Sequence, residues 1–282
     1  MKPAFDITSA NSEFADLKHC TLLLELNEKQ LTCAWVNKAS HQLIRLRQYH
    51  LEMGEAEPIA ILQDLVENDR ELQQEIREAV VIYNYAESSL IPDTSFSIEI
   101  CKPVTELING NAHKGLVLSE KVYGRDIYTI YRIPREVHSL LQRKFSAGKY
   151  WHFYSLLLYS TAEQNDDPAG EKIKLYFYPD KFIAAVFNQG QPLLVQSYLY
   201  QVPEDVSYYL LNICRQFALN PEQLPLRLCG LIDADSVLYS EITRYFLNVE
   251  WDATGKTAWT NEQLNEYPSH YFSPLLQMAL CV

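Results

Sequence analysis

The sequence has 282 residues, of which 48% are hydrophobic, so the chain is long enough to form two domains and bury about three quarters of its unfolded surface. Its formal net charge of -12 argues against general nucleic-acid binding, because such proteins cluster lysine and arginine against phosphates. The six cysteines form no C-x-x-C pair, the sequence lacks a secretory signal pattern, and no apolar run reaches about 18 residues. These features predict reduced thiols, no membrane insertion and a cytoplasmic location.

Charge is distributed unevenly along the chain. Residues 121–149 contain seven basic and two acidic side chains, whereas residues 52–78 contain nine acidic side chains. Blocks of opposite charge can pair between subunits or guide a charged partner to one face of a protein, although two solvated surfaces are the alternative interpretation. The candidate partner-binding residues are Arg132, Arg135, Arg143 and Lys144.

The first elements in chain order are typical of an antiparallel meander. Three apolar or alternating segments, 19–26, 31–37 and 41–51, are separated by polar turns. Pro58 then begins an apolar stripe with helical spacing, which predicts an amphipathic helix ending near residue 78. The buried strand predicted at 80–83 (VVIY) suits a crossover onto a parallel neighbour.

The middle of the chain, about 93–148, is less regular. From there to residue 159 the pattern predicts a helix at 103–107, a strand at 126–132, a helix at 134–145, and a strand followed by a short helix within 150–159. The aromatic residues of the last segment are interpreted as core rather than as a base-stacking platform. The polar turn formers 165–170 (NDDPAG) mark the predicted boundary between a first domain, 1–164, and a second, 165–282.

After this boundary the first pattern returns in the same order. Three strands are predicted at 172–178, 181–188 and 193–201. They are followed by a helix at 206–217, a strand at 226–230, a helix at 237–246 and a strand at 249–251. A last helix is expected within 271–281. The sequence therefore predicts an α/β fold built from two copies of one unit.

Two copies of a three-strand meander, a crossover helix and further parallel strands resemble the ribonuclease-H-like halves of the actin and sugar-kinase superfamily. Within it, the chain is similar to the type IV pilus assembly actin-like protein and the cytoplasmic domain of the type II secretion L protein. The segments 80–92 (VVIYNYAESSLIP) and 130–145 (IYRIPREVHSLLQRKF) resemble most closely an uncharacterised bacterial family, domain of unknown function 3822. The resemblance implies two duplicated actin-like ATPase domains, each with a mixed sheet that begins with a three-strand antiparallel meander and is flanked by helices.

The superfamily implies ATP with magnesium in a cleft between the two halves, held by three loops. The first loop has the pattern Asp-x-Gly-Ser/Thr, and the matching positions here are 25–28 (ELNE). Glu25 keeps a carboxylate, but Asn27 replaces the glycine and Glu28 places a negative charge where the phosphates would lie. That charge would repel the ligand.

The other two loops depart further from the superfamily pattern. The second Asp-x-Gly matches 176–178, where Tyr176 and Tyr178 replace the acid and the glycine. The third loop matches 228–233, where Gly230 keeps one glycine of a pair and a leucine replaces the other. The candidate cofactor-binding residues of this degenerate interdomain cleft are Glu25, Asn27, Tyr176, Tyr178 and Gly230.

Other arrangements that carry chemistry have less support. Glu25 with Asp233 and Asp235 resembles the metal-binding carboxylates of nucleases with this fold, but the pattern places no further acid, and both aspartates suit helix caps. The seven histidines are scattered without metal-ligand spacing, and no serine lies in a nucleophile-elbow pattern. We therefore assign no catalytic and no metal-binding residue.

Three functions remain open from the sequence. The preferred hypothesis is a non-catalytic binding or scaffold module, a pseudo-ATPase that contacts an unknown protein partner or further copies of itself. The alternatives are a nucleotide-binding actin-like ATPase with divergent phosphate loops, and a protein that binds nucleic acid or an acidic partner through residues 121–149. Fold alone does not choose among them, because one scaffold serves kinases, ATPases, nucleases and structural subunits.

Overall fold

The computed structural model describes residues 2–9, 17–52, 57–110, 114–163 and 170–282. They belong to two compact units, the first comprising Met1–Tyr159, Trp259–Glu266 and Ala279–Val282, and the second comprising Ser160–Ala258 and Tyr267–Met278. Of the predicted boundary segment, 165–169 lie outside the described residues. Two late segments of the chain thus pack in the first unit, which no local sequence pattern indicates. No helix in the described ranges has the length and apolar character needed to span a membrane.

The elements up to residue 163 form two sheets with flanking helices. In chain order they are β1 (Phe5–Thr8), β2 (Thr21–Leu26), β3 (Gln30–Asn37), β4 (Gln42–His50), α1 (Pro58–Asn68), β5 (Glu78–Tyr83), β6 (Ser88–Pro92), α2 (Ile98–Asn109), β7 (Leu116–Lys121), β8 (Ile127–Ile133), α3 (Arg135–Lys144), β9 (Lys149–His152) and α4 (Phe153–Glu163). Six strands form a mixed sheet in the order β1-β4-β3-β2-β5-β9, and the remaining three form an antiparallel sheet in the order β6-β8-β7.

The core of the first unit lies between its six-stranded sheet and the helices α1 and α3. Leu24 of β2, Leu62 of α1 and Leu140 of α3 belong to one buried cluster. Every residue of β2 is buried, which explains why this strand is a nearly continuous apolar run rather than an alternating one.

Helix α1 ends at Asn68, so the predicted helix end near residue 78 is wrong. Asp69 is the physical reason, because its Oδ1 accepts the backbone N–H groups of Glu71 and Leu72, both at 3.1 Å, and closes a turn. Leu72 is nevertheless buried in the core cluster. The apolar spacing that suggested a longer helix therefore reflects burial of Leu72 in the same core, which this residue reaches from a turn rather than from a helix.

The middle segment also departs from its predicted limits. Helix α2 covers Ile98–Asn109, longer than the predicted 103–107, and strands β6 and β7 were not predicted. In β7 (LVLSEK) five of the six residues are half-buried and the last is exposed, so its two faces do not differ enough to produce an alternating pattern.

The second unit contains one mixed sheet and its helices. Its elements are β10 (Glu171–Phe177), β11 (Lys181–Asn188), β12 (Gln191–Leu199), α5 (Pro203–Phe217), β13 (Leu226–Gly230), α6 (Val237–Thr243), β14 (Val249–Trp251), α7 (Thr254–Thr257) and α8 (Ser273–Met278). The strand order is β12-β11-β10-β13-β14. Helices α5 and α6 pack on this sheet, with Leu210 and Ile242 buried against Leu175 and Leu228.

The two sheets repeat one topology, as the sequence predicts. Both have an antiparallel meander whose first strand pairs in parallel with the strand after the crossover helix. The equivalence extends to single residues: the N–H of Asn27 donates to the Gln30 carbonyl at 3.0 Å, and the N–H of Tyr178 donates to the Lys181 carbonyl at 2.8 Å. The pairing of the second and third strands is also irregular at one matching point in each unit. The β2–β3 and β10–β11 hairpins are thus structural counterparts.

Candidate functional sites in the two units

The turn between β2 and β3 is closed by its own side chains. Asn27 accepts the backbone N–H groups of Lys29 at 2.9 Å and Gln30 at 2.8 Å through its Oδ1. Glu28 accepts the N–H of Ala86 at 2.7 Å. The N–H groups of Asn27, Lys29 and Gln30 are therefore directed at protein oxygens, whereas an anion site needs such groups directed at the ligand.

Glu25 lies inside the first unit, at the end of β2. It is buried, and its Oε1 accepts Asn84 Nδ2 at 2.7 Å. The Asn84 N–H donates to the carbonyl of Leu26 at 2.8 Å, so this asparagine links two parallel strands at their ends. Glu25 and Asn27 thus lie in one hairpin, the first in the sheet and the second in the turn.

The hairpin of the second unit has aromatic residues at the counterpart positions. Tyr176 corresponds to Glu25 and is buried in β10, where it pairs with Cys229 of β13. Tyr178 corresponds to Asn27, and its carbonyl accepts the hydroxyl of Tyr200 at 2.8 Å. The two tyrosine rings therefore fill space at the end of the strand, and neither residue supplies a carboxylate.

Gly230 ends β13 directly beside Phe177, its partner in the β10–β13 pairing. Its φ is +89°, a left-handed conformation that favours glycine, and its N–H donates to the carbonyl of His270 at 2.8 Å. The next residue, Leu231, donates its N–H to the Phe177 carbonyl at 2.9 Å. The retained glycine thus has a packing role within the second unit.

The four predicted partner-binding residues do not share one environment. Arg132 lies on β8 and is buried; its guanidinium contacts a Glu87 oxygen at 2.9 Å and donates to the Gly110 carbonyl at 3.0 Å. Arg135 and Arg143 are exposed on α3, and neither forms an ion pair with a described residue. Lys144 is half-buried at the end of the same helix. The surface suggested by the sequence is therefore reduced to α3, because Arg132 belongs to the interior.

A titratable cluster that the sequence did not indicate surrounds Glu120 on β7. Its Oε1 accepts the backbone N–H of His152 at 2.7 Å, and its Oε2 accepts the hydroxyl of Tyr131 at 3.3 Å. Burial raises the pKa of Glu120 to about 7, although hydrogen bonds from Ser155, His152 and Tyr131 oppose this effect. A carboxyl group that titrates near neutral pH can act as a proton donor or acceptor.

His152 is held in one orientation at the centre of this cluster. Its Nδ1 accepts the N–H of Tyr154 at 3.2 Å, and its Nε2 lies 3.2 Å from the carbonyl of Tyr85, an arrangement that fits a neutral imidazole with its proton on Nε2. The ring lies 4.7 Å from that of Tyr131. No short sequence motif predicts these contacts, because Glu120, Tyr131 and His152 lie on three different strands.

Ser155 also faces a cavity of about 240 Å³ within the first unit. Its lining is mainly apolar and includes Tyr123, Trp151, Leu156 and Tyr159. The indole Nε1 of Trp151 is buried and has no hydrogen-bond partner among the described residues. Lys149 and Ser155 also line the cavity, so polar groups interrupt its mainly apolar wall.

Acidic clusters in the described ranges do not form a metal centre. No group of three or more His, Cys, Asp or Glu side chains there is placed to hold a metal ion. Asp233 accepts the hydroxyl of Tyr271, and the predicted capping role of Asp233 and Asp235 is taken by Ser236, whose Oγ accepts the N–H of Tyr239 at 3.1 Å. The assignment of the cap to an aspartate is therefore wrong.

Comparison with known proteins identifies a family without assigning an activity. The family model described as "Protein of unknown function (DUF3822)" matches residues 9–249. No curated protein matches the sequence.

Solved structures with the same fold match almost the whole chain. A Bacteroides thetaiotaomicron protein with an actin-like ATPase fold and unknown function has a TM-score of 0.78 at 17% identity, covering 93% of this chain and 96% of that one. A chain of the PilM-PilN type IV pilus biogenesis complex has a TM-score of 0.60 at 16% identity, covering 93% and 98%. At such identities the likeness concerns the fold alone, and it confirms the actin-like α/β fold predicted from the sequence.

Proposed function

The chain belongs to the DUF3822 family, and we propose that it is a non-catalytic binding or scaffold module, a pseudo-ATPase that acts through protein contacts. One observation carries the proposal: in the first unit, the turn matched to the phosphate loop is closed by Asn27, whose side-chain oxygen accepts the backbone N–H groups of Lys29 and Gln30. Glu28 adds a carboxylate to this turn and accepts the N–H of Ala86 from the segment between β5 and β6. Phosphate binding at such a turn needs those N–H groups for the ligand, and a carboxylate there repels it.

The second unit supports the same conclusion. Tyr176 and Tyr178 supply no carboxylate to hold a hydrated magnesium ion, and the N–H of Gly230 is taken by His270. Each of these positions is explained by packing or hydrogen bonding within its own unit. An ATPase role would need these groups to exchange protein partners for a nucleotide.

A protein partner is the binding class that we favour. The PilM chain, whose fold is similar, occurs in a complex with PilN. The net charge of -12 also disfavours a general nucleic-acid ligand.

A thermal-shift titration with ATP and ADP, each with and without magnesium, tests the proposal. We expect no change in melting temperature at millimolar nucleotide. A ligand present at ten times its Kd would stabilise the fold by about 1.4 kcal/mol, so binding would be visible. A magnesium-dependent rise that is lost in Glu25→Gln and kept in Glu250→Gln, an exposed control, would overturn the proposal in favour of an actin-like protein that binds ATP.

A second candidate function, binding of an acidic partner, is favoured by the exposed basic residues of α3. Arg135 and Arg143 lie on the surface of α3, where Val137, Leu140 and Leu141 are buried. Their guanidinium groups are available because no described acid pairs with them. Arg132 has no part in this surface.

Retention on an immobilised polyanion tests this second function. We expect salt-dependent retention that falls in an Arg135→Glu/Arg143→Glu variant and persists in Lys102→Glu, since Lys102 is exposed on α2. Equal loss in both variants would indicate a nonspecific charge effect and would remove α3 from consideration.

A further inference from the structure

An open cavity of about 250 Å³ lies between helices α1 and α3 of the first unit. Val66 of α1 and Leu140 of α3 form its apolar floor, and both belong to the buried core cluster. Its rim is polar and consists of Glu67, Gln73, Arg143 and Lys144. Because a cavity of about 150 Å³ holds benzene, this one has room for an apolar side chain of leucine size.

The two cations of the rim have no partner in the described part of the chain. Arg143 is exposed and Lys144 is half-buried, and neither forms an ion pair or a side-chain hydrogen bond with a described residue. They are consecutive residues in the last turn of α3. Arg47 of the same unit, in contrast, is paired with Glu71 at 2.6 Å. Two unpaired cations beside one cavity favour a ligand that brings negative charge.

The α1 side of the rim carries one acid. Glu67 is exposed, and its Oε1 accepts Gln63 Nε2 at 2.9 Å within the same helix. The Gln73 amide is held by the backbone, since its Nε2 donates to the Val66 carbonyl at 2.7 Å. Two cations and one carboxylate leave the rim with a single net positive charge. The sign at this cavity is therefore opposite to that of the whole chain, whose net charge is -12.

We propose that this cavity binds an acidic segment of a partner protein, which inserts one apolar side chain between α1 and α3 and places carboxylates beside Arg143 and Lys144. The inference rests on the second candidate function, binding of an acidic partner, and assigns it to one end of α3. Exposed ion pairs contribute about 1 kcal/mol or less each, so the apolar anchor is needed for affinity. Arg143 suits the charged part, because a guanidinium binds a carboxylate through two parallel hydrogen bonds.

Fluorescence anisotropy with the whole chain and two labelled peptides tests the proposal. The peptide EELLEE has two leucines between glutamates, and EESSEE has serines in their place. We expect EELLEE to bind about tenfold more tightly, a difference of about 1.4 kcal/mol, because a leucine in the cavity leaves water and a serine gains little by doing so. Both peptides carry the same side-chain charge, so the comparison isolates the anchor.

Three variants locate the charged contact, and circular dichroism verifies that each is folded. Arg143→Glu should weaken EELLEE binding by about tenfold. Arg135→Glu is the matched control and should weaken it by less than about twofold, because Arg135 is also exposed on α3 but does not line the cavity. Position 135 lies about 12 Å from position 143 along the helix axis. Glu67→Gln should strengthen binding about twofold, since it removes the carboxylate of the rim.

The outcomes separate this inference from the function on which it rests. Equal affinity for the two peptides, or equal losses in Arg135→Glu and Arg143→Glu, would overturn the anchored mode while leaving an acidic partner bound along α3. Failure of EELLEE to bind at millimolar concentration would also overturn it. The second candidate function fails as well only if the chain is not retained on the polyanion.

Discussion

Gly230 lies so close to Phe177 that a Cβ at position 230 would be 2.3 Å from the Phe177 carbonyl oxygen. The contact joins the ends of two parallel strands, β10 and β13. This packing alone requires glycine, because a side chain would overlap the neighbouring backbone. A lone glycine at the end of a buried strand is therefore no sign of a nucleotide site here.

Gly230→Ala should destabilise the protein by about 3 kcal/mol or more, since it combines positive-φ strain with backbone overlap. Chemical denaturation measures the loss. Gly124→Ala is the control, because Gly124 also has a positive φ (+72°) but a Cβ there would meet nothing within 4 Å. That variant should lose only about 1 kcal/mol. Equal losses would show that strain alone accounts for the effect.

Asp69→Ala should lower the free energy of unfolding by about 2 kcal/mol or more. The substitution removes the acceptor for two backbone N–H groups, and it also removes the partner of Arg47 at 3.2 Å and of the Tyr49 hydroxyl at 3.0 Å. Urea denaturation provides the measurement. Asp64→Ala, which removes an exposed bond to Asn68, should change stability by less than about 0.5 kcal/mol. Similar effects of both variants would contradict this role for Asp69.

Lys174 and Asp252 form a buried ion pair at 3.2 Å, and the pair should couple strongly in a double-mutant cycle. Burial raises the pKa of Asp252, but Lys174 and Thr254 outweigh this and lower it below its usual value. Lys174→Met alone leaves a buried charge and should cost about 3–5 kcal/mol, and adding Asp252→Asn should recover part of that loss. The more exposed pair Arg227 and Glu250, at 3.3 Å, is the comparison and should couple by about 1 kcal/mol or less. Additive losses for the buried pair would contradict the coupling.

Glu120 should make the protein less stable as pH rises from about 4.5 to about 7. Burial raises its pKa in the folded state to about 7, so across this range the folded protein binds more protons than the unfolded chain. Glu120→Gln should remove this contribution, and its stability relative to wild type should increase with pH and then level off. Unfolding free energies at about pH 5 and about pH 8 provide the comparison. Glu106→Gln, on the exposed face of α2, should follow wild type at both values.

Much of the fold was predictable because its signal lies in consecutive residues. The meanders 21–50 and 171–199 alternate apolar strands with polar turns, and the structure places strands there in both units. The ends of helices and strands were less predictable where contacts with residues far away in the sequence determine them. Asp69, for example, ends α1 while also binding Arg47 and Tyr49 of β4, and no window of local sequence contains that set.

The candidate sites also combine features that are visible in the sequence with features that depend on contacts between distant segments. The residue types of Asn27 and Tyr176 are visible in the sequence, and the duplication aligns the two hairpins that carry them; their match to phosphate loops stays a prediction. The sequence did not reveal that Arg132 is an interior residue. Basic residues cluster along the chain there, but β8 directs this one to Glu87 and the backbone of Gly110.

The sequence by itself determined the duplicated α/β architecture and the residue types in the three loops that we compare with the phosphate-binding pattern, since periodicity and residue type are local properties of the chain. Only the tertiary structure decided which groups those loop residues bind and that burial raises the pKa of Glu120 to about 7. Burial and hydrogen bonding between segments far apart in the chain set those properties, as when Glu120 accepts the N–H of His152. They exist only once the sheets have packed.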